Sequence, residues 1–274
     1  MKSILLLLVT FMSLTSFGQN SYKHFNVKFV SYEDINENPS TIGKWHNEAL
    51  DYAYNALSKD VTLDRTSFTT KFSNSIVDYF KQKGIIVQLS FDGNFEDFSK
   101  ESIEEDICKN ISSLSKEAQN IICSAQVNLT SFIDEQISFE EYKLQNERLQ
   151  LQSEKLDKEV ERKICGIAVS VSQNSIEYWD KNYTKFISTF SSLFQVKSEQ
   201  KGGPYLSENE INPIIPALKL RWGLIGLSDL AGAVRWGIVG FTAAGGPAGA
   251  VACGIAGAAG HSCASIIGQA IINR

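Results

Sequence analysis

Residues Trp236 to Ile272 read WGIVGFTAAGGPAGAVACGIAGAAGHSCASIIGQAII, and the whole stretch lacks Asp, Glu, Lys and Arg. Small residues recur in it at helical spacing. Gly245, Gly249, Cys253, Gly257, His261 and Ser265 form one row, four residues apart. Gly246, Ala250, Gly254, Ala258 and Ser262 form a second, and Ala256, Gly260, Ala264 and Gly268 a third. Wound into a helix, such rows leave one face almost bare, so another backbone can come close and gain dispersion and Cα–H to carbonyl contacts. Glycine is about 1 kcal/mol worse than alanine in an isolated helix. The segment therefore needs a partner surface, a bilayer or both. Pro247 ends, kinks or starts a helix. The expectation is a helix around Leu227 to Ala244, a break at Gly245-Gly246-Pro247 and a second helix to about Ile272. Candidate helix-packing or membrane residues are Gly245, Gly249, Gly254, Gly257, Gly260 and Gly268.

The stretch from Leu224 to Ile272 is longer than the roughly 20 residues one bilayer crossing needs. Asp229 and Arg235 are six apart, do not pair along one face, and would be costly at a bilayer centre. A shallow or docked hairpin is therefore favoured over a clean double crossing. A structural cap on a helical core is the plainer alternative, since small-residue contacts also occur in soluble interiors.

Upstream, Gly202-Gly203-Pro204 and Asn212-Pro213 to Pro216 mark a linker. The expected organisation is a helical domain over 19–200, a Pro/Gly linker over 201–222 and an apolar helical hairpin over 223–274. No proline lies between Pro39 and Pro204, which favours uninterrupted helices. Trp45, Ala49, Tyr52, Ala53 and Ala56 give one amphipathic helix after Gly43. Phe68, Phe72, Ile76, Tyr79 and Phe80 give a second over Thr66 to Lys83, stopped by Gly84. Ile103, Ile107 and Ile111 mark a third, and Leu114 to Phe132 a fourth. From Phe139 a long helical pattern runs through Tyr142, Leu149 and Leu156 to Ile164 and Val171; the heptad part is too short for a coiled coil. An aromatic-rich helix follows over Tyr178 to Phe194. Ile85 to Phe91, and more loosely His24 to Tyr32, read as short strands. The fold class is mainly α: a helical bundle with a Gly/Ala-rich hairpin and at most one or two short strands.

The first 18 residues have the parts of an export signal. Lys2 is the positive start, Ile4 to Met12 the apolar core, and Ser16 and Gly18 the small residues before a cleavage point at Gln19. The alternative is an uncleaved anchor. Export to the periplasm, outer envelope or medium makes disulfides permissible. The five cysteines (Cys108, Cys123, Cys165, Cys253 and Cys263) are odd in number, so at least one stays a thiol or pairs with another chain. Cys108 and Cys123 flank a turn near Ser112-Ser113 and form the candidate disulfide. Burial as small apolar side chains is the alternative for each cysteine.

A net charge of −5 gives no basic face for nucleic acid. No nucleophile motif, zinc motif or phosphate-cradling loop occurs. The carboxylate of Asp51 lies five residues from His46, off the facing positions. No catalytic residue, cofactor or metal is expected, and the chain is read as a non-enzyme.

Three pieces carry a resemblance. They are His46-Asn47-Glu48-Ala49-Leu50-Asp51-Tyr52, Ala168-Val169-Ser170 through Ser175-Ile176-Glu177-Tyr178-Trp179, and Asp229-Leu230-Ala231-Gly232-Ala233 before the Gly/Ala tail. With the signal ending Phe17-Gly18-Gln19, the chain resembles a group of exported Bacteroidetes proteins. The resemblance implies an exported helical protein with a glycine-zipper-like tail, and no particular activity. The tail alone is similar to class II bacteriocins, from which the chain departs in its length and its signal. The expected role is an envelope-associated interaction or structural protein; the alternative is a bacteriocin-like membrane-active effector. Expected partners are a membrane or partner helix through the tail, or a second copy of the chain.

Overall fold

A computed structural model describes residues 25–32, 39–91, 100–194, 214–244 and 246–272. The signal, the cleavage point at Gln19 and Gly245 lie outside the described residues. The fold is mainly α, eight helices and one strand pair among the described residues. Strand β1 (Phe25–Tyr32) runs antiparallel to β2 (Ile85–Phe91), Phe25 opposite Phe91 and Tyr32 opposite Ile85. In β2, Ile85 and Val87 are buried while Ile86 and Gln88 face out, the period-2 pattern of a half-buried strand.

Helix α1 spans Pro39–Leu57. It starts earlier than the expected Lys44, because Pro39 stands at the first helical position, where a missing N–H costs nothing. Helix α2 (Arg65–Gln82) opens on a capping box between Asp64 and Ser67. Gly84, at φ 74°, turns the chain into β2. Helix α3 (Lys100–Asn110) passes through a 3-10 turn at Ile111–Ser113 into α4 (Lys116–Ile133).

The long helical pattern from Phe139 is interrupted. Helix α5 (Phe139–Ser153) stops, and α6 (Glu159–Phe194) starts after a short turn. Arg162 caps that turn from below, donating to the carbonyls of Leu156 and Asp157. The aromatic-rich segment expected as a further helix is the second half of α6, whose 36 residues make a rod about 54 Å long.

Helix α7 (Ile214–Ala244) begins inside the expected 201–222 linker. Pro216 is no obstacle there, because the first turn has no intrahelical acceptor for its missing N–H. Gly246 and Pro247 then reverse the chain into α8 (Pro247–Ile272), with Pro247 at the first helical position. The hairpin is therefore two helices broken where the glycines and proline predict. It is not a unit apart. One contiguous apolar core runs from Trp45 to Ile267, and the hairpin supplies its centre. Helix α6 lies along both arms, α1, α2 and β1 cover α8, and α3 and α4 cover α7.

Candidate functional site

Every residue of α8 from Gly249 to Ile267 is buried. Its small side chains let α7 approach to backbone contact. A methyl group on Gly240 of α7 would fall 2.1 Å from the carbonyl oxygen of Gly249. One on Gly232 would meet the Gly257 carbonyl at 2.8 Å, and one on Gly257 the Trp236 side chain at 2.3 Å. Gly254 faces the Ala233 carbonyl, a Cβ there falling 3.1 Å from it. Of the six glycines singled out in the sequence, Gly249, Gly254 and Gly257 thus lie at the α7 contact. Gly260 is buried in α8, and Gly268 lies near its end. The sequence reading missed the matching glycines on α7, Gly232 and Gly240. Their spacing of eight, two helical turns, was the available signal.

The hairpin also carries a charge into the core. Asp229 is fully buried in α7, where an unpaired carboxylate would cost several kcal/mol. Both its oxygens are occupied. Oδ1 accepts from Ser262 Oγ of α8 at 2.6 Å. Oδ2 accepts from Ser175 Oγ at 2.6 Å and Trp179 Nε1 at 3.2 Å, both on α6. His46 Nε2 of α1 lies 3.3 Å from Oδ2 and 3.2 Å from Ser262 Oγ. His46, Ser175 and Ser262 are, like Asp229, fully enclosed.

The outer layer fixes the ring. His46 Nδ1 meets Asn47 Oδ1 at 2.9 Å, and Asn47 Nδ2 donates to the Asn174 carbonyl at 2.9 Å, which sets the amide's orientation. Each ring nitrogen of His46 therefore faces an acceptor. Helices α1 and α6 reach this geometry because Gly43 lies flat on α6: its N–H donates to Ser170 Oγ at 3.1 Å. A methyl there would sit 2.3 Å from that oxygen.

Chemically this is a latch. A nucleophile relay needs a serine on one ring nitrogen and a carboxylate on the other. Here Ser262 and Asp229 share Nε2, Ser262 gives its own hydrogen to Asp229, and nothing in the cluster is exposed. What the arrangement does is bind α1, α6, α7 and α8 to one carboxylate. The segments around His46, Ser175–Trp179 and Asp229 converge at it. Asp51, on the same helix as His46, is off its facing positions, and the carboxylate that His46 meets is Asp229, 183 positions away in the chain.

A second polar group joins α3 to the hairpin. Arg235 Nη1 lies 3.7 Å from Asp106 Oδ1. Burial raises the Asp106 carboxyl, and the Arg235 cation offsets this in part. His261, buried beneath, is pushed down to about 3 by burial and then by Arg235. Arg235 and Asp229, weighed in the sequence as costs in a bilayer, are thus each paired inside the bundle.

Cys108 and Cys123 are thiols, Cys108 exposed and Cys123 half-buried. Cys165, Cys253 and Cys263 are buried. Among the described residues no group of three or more His, Cys, Asp or Glu side chains is placed to hold a metal ion. Two helical stretches, Arg221–Thr242 and Pro247–Ile267, are long and apolar enough to cross a membrane. No family model, curated protein or solved structure matches the chain.

Proposed function

We propose that this is an exported, envelope-associated interaction or structural protein, in which the glycine-zipper hairpin is an internal spine and the surrounding helices present the working surface. The observation that carries this reading is the enclosure of α8, buried from Gly249 to Ile267, together with the latch on Asp229. A hairpin whose only deep carboxylate bonds to α1 and α6 loses those partners on leaving the bundle, and stripping a buried carboxylate of them costs about 3–5 kcal/mol. Docking is then the resting state, and the partner, a protein helix or a second copy of the chain, meets the outer faces of α1 to α6.

A second reading has one specific observation in its favour. The 26 residues of α8 extend about 39 Å, more than the roughly 30 Å hydrocarbon core. A membrane-active effector would release this hairpin from its jacket. The purified chain, mixed with dye-loaded phospholipid vesicles, separates the two. The spine reading expects no dye release and no co-flotation. Dye release by a chain that is folded before contact, with residues 223–274 protected from protease by the vesicles afterwards, would carry the effector reading instead.

A further inference from the structure

We propose that Cys108 and Cys123 are a redox-controlled fastener, closing to a disulfide that ties α3 to α4 and holds α3 down on the first arm of the hairpin. Cys108 sits in the last turn of α3 and Cys123 midway along α4, with the 3-10 turn at Ile111–Ser113 folding one helix back on the other. The Cys108 Sγ already touches α4, 4.0 Å from Oε1 of Gln126. Gln126 is three residues beyond Cys123, hence on the same helical face. Burial raises the Cys123 thiol, and the neighbouring Cys108 adds to the rise, as expected of two thiols side by side.

The other cysteines do not compete. Cys165, Cys253 and Cys263 are all buried, out of reach of a small disulfide, and reactivity toward one requires access as well as thiolate. Cys108 is exposed, so a small disulfide reaches it first. Its thiolate attacks one sulfur of that disulfide, forming a mixed disulfide and expelling one thiol. Cys123, losing its proton to water, then attacks Cys108 Sγ, breaks the mixed bond and expels the second thiol. Two protein thiols are oxidised and one small disulfide is reduced to two thiols.

The consequence lies two residues from Cys108. Asp106 on the same helix reaches Arg235 of α7. Fixing α3 to α4 holds that ion pair over the hairpin, so oxidation stiffens the cover and reduction loosens it. The disulfide chemistry stands apart from the spine reading; only its effect on the hairpin rests on it.

The test uses the full mature chain, folded, incubated with oxidised glutathione or with a reducing dithiol, then alkylated and mapped as peptides without reduction. The expected result is a Cys108–Cys123 linked peptide in the oxidised sample. Cys165, Cys253 and Cys263 should take up alkylating reagent only after denaturation. Limited proteolysis within 100–115 should slow several-fold on oxidation, and Cys108→Ser should abolish both effects while leaving the helical circular dichroism intact. Cys108 found as a stable glutathione adduct, or both thiols alkylated without a link, overturns the pair. A link that forms with no change in proteolysis overturns the fastening. Neither outcome touches the vesicle experiment, so failure here and failure of the spine reading are distinguishable.

Discussion

The hairpin and its jacket solve the same packing problem with opposite materials. Between α7 and α8 the contact is backbone on backbone, through Gly240 against the Gly249 carbonyl and Gly232 against that of Gly257. Between α1, α2 and α6 it is ring on ring. Tyr54 and Phe186 have centroids 4.8 Å apart, Tyr54 and Phe190 5.6 Å, and Phe68 and Phe190 5.2 Å. At Gly232, Gly240 and Gly257 the hairpin therefore has no room to gain an atom, and the jacket suffers most by losing one. Where the two meet, neither material suffices, and a buried carboxylate held by Ser175, Trp179 and Ser262, with His46 beside it, supplies the register.

That contrast orders the expected effects of substitution. Gly240→Leu should be the most damaging, since even its Cβ falls 2.1 Å from a backbone oxygen that cannot move without unwinding α8. Loss of the cooperative thermal transition is expected; a folded protein with unchanged Tm would show that the arms need not touch. Asp229→Asn comes next. It removes the charge and turns an amide N–H toward donors, which should cost about 3–5 kcal/mol, read by urea denaturation. Phe186→Ala follows, at about 3 kcal/mol, the low end for a buried phenylalanine because Tyr54, Trp179 and Phe190 can lean into the space. If Gly240→Leu proved milder than Phe186→Ala, the contrast between the two packings would be lost.

Over any single pH unit, the smallest effect is a pH dependence. His261 titrates at about 3 in the fold against an ordinary 6.5. The unfolded chain thus binds a proton that the fold refuses. Stability should fall as pH drops below 6.5 toward 3, by at most about 1.4 kcal/mol per pH unit from this group. Asp106, raised above its ordinary 3.8 mainly by burial, works in the opposite sense. The effect is therefore read as the difference in slope between the natural chain and His261→Gln. Equal slopes would place His261 outside the core.

Local signals explain what was legible in the chain. The break at Gly246-Pro247, the stop of α2 at Gly84, strand β2 and the small-residue rows of α8 each follow from residues adjacent in sequence. The end of α5 was not legible, because no proline or glycine marks it; Arg162 stabilises that turn from the next helix. Nor was the latch. His46, Ser175, Trp179 and Ser262 become partners of Asp229 only when four helices cross, and no spacing rule along one helix brings them together. Asp229 itself stood out as a charge in an apolar run. Its cost was visible, but the groups that offset it were not.

The most direct measurement is native-state hydrogen exchange of the full chain in plain aqueous buffer, without detergent or lipid. If the hairpin is the spine of a soluble bundle, the amides from Gly249 to Ile267 should be the slowest in the molecule. They should open only with global unfolding, and Asp229→Asn should speed them together with those of α1 and α6. Exchange of that segment faster than α4 or α5, or a chain that stays in solution only with detergent, would contradict the enclosed hairpin outright.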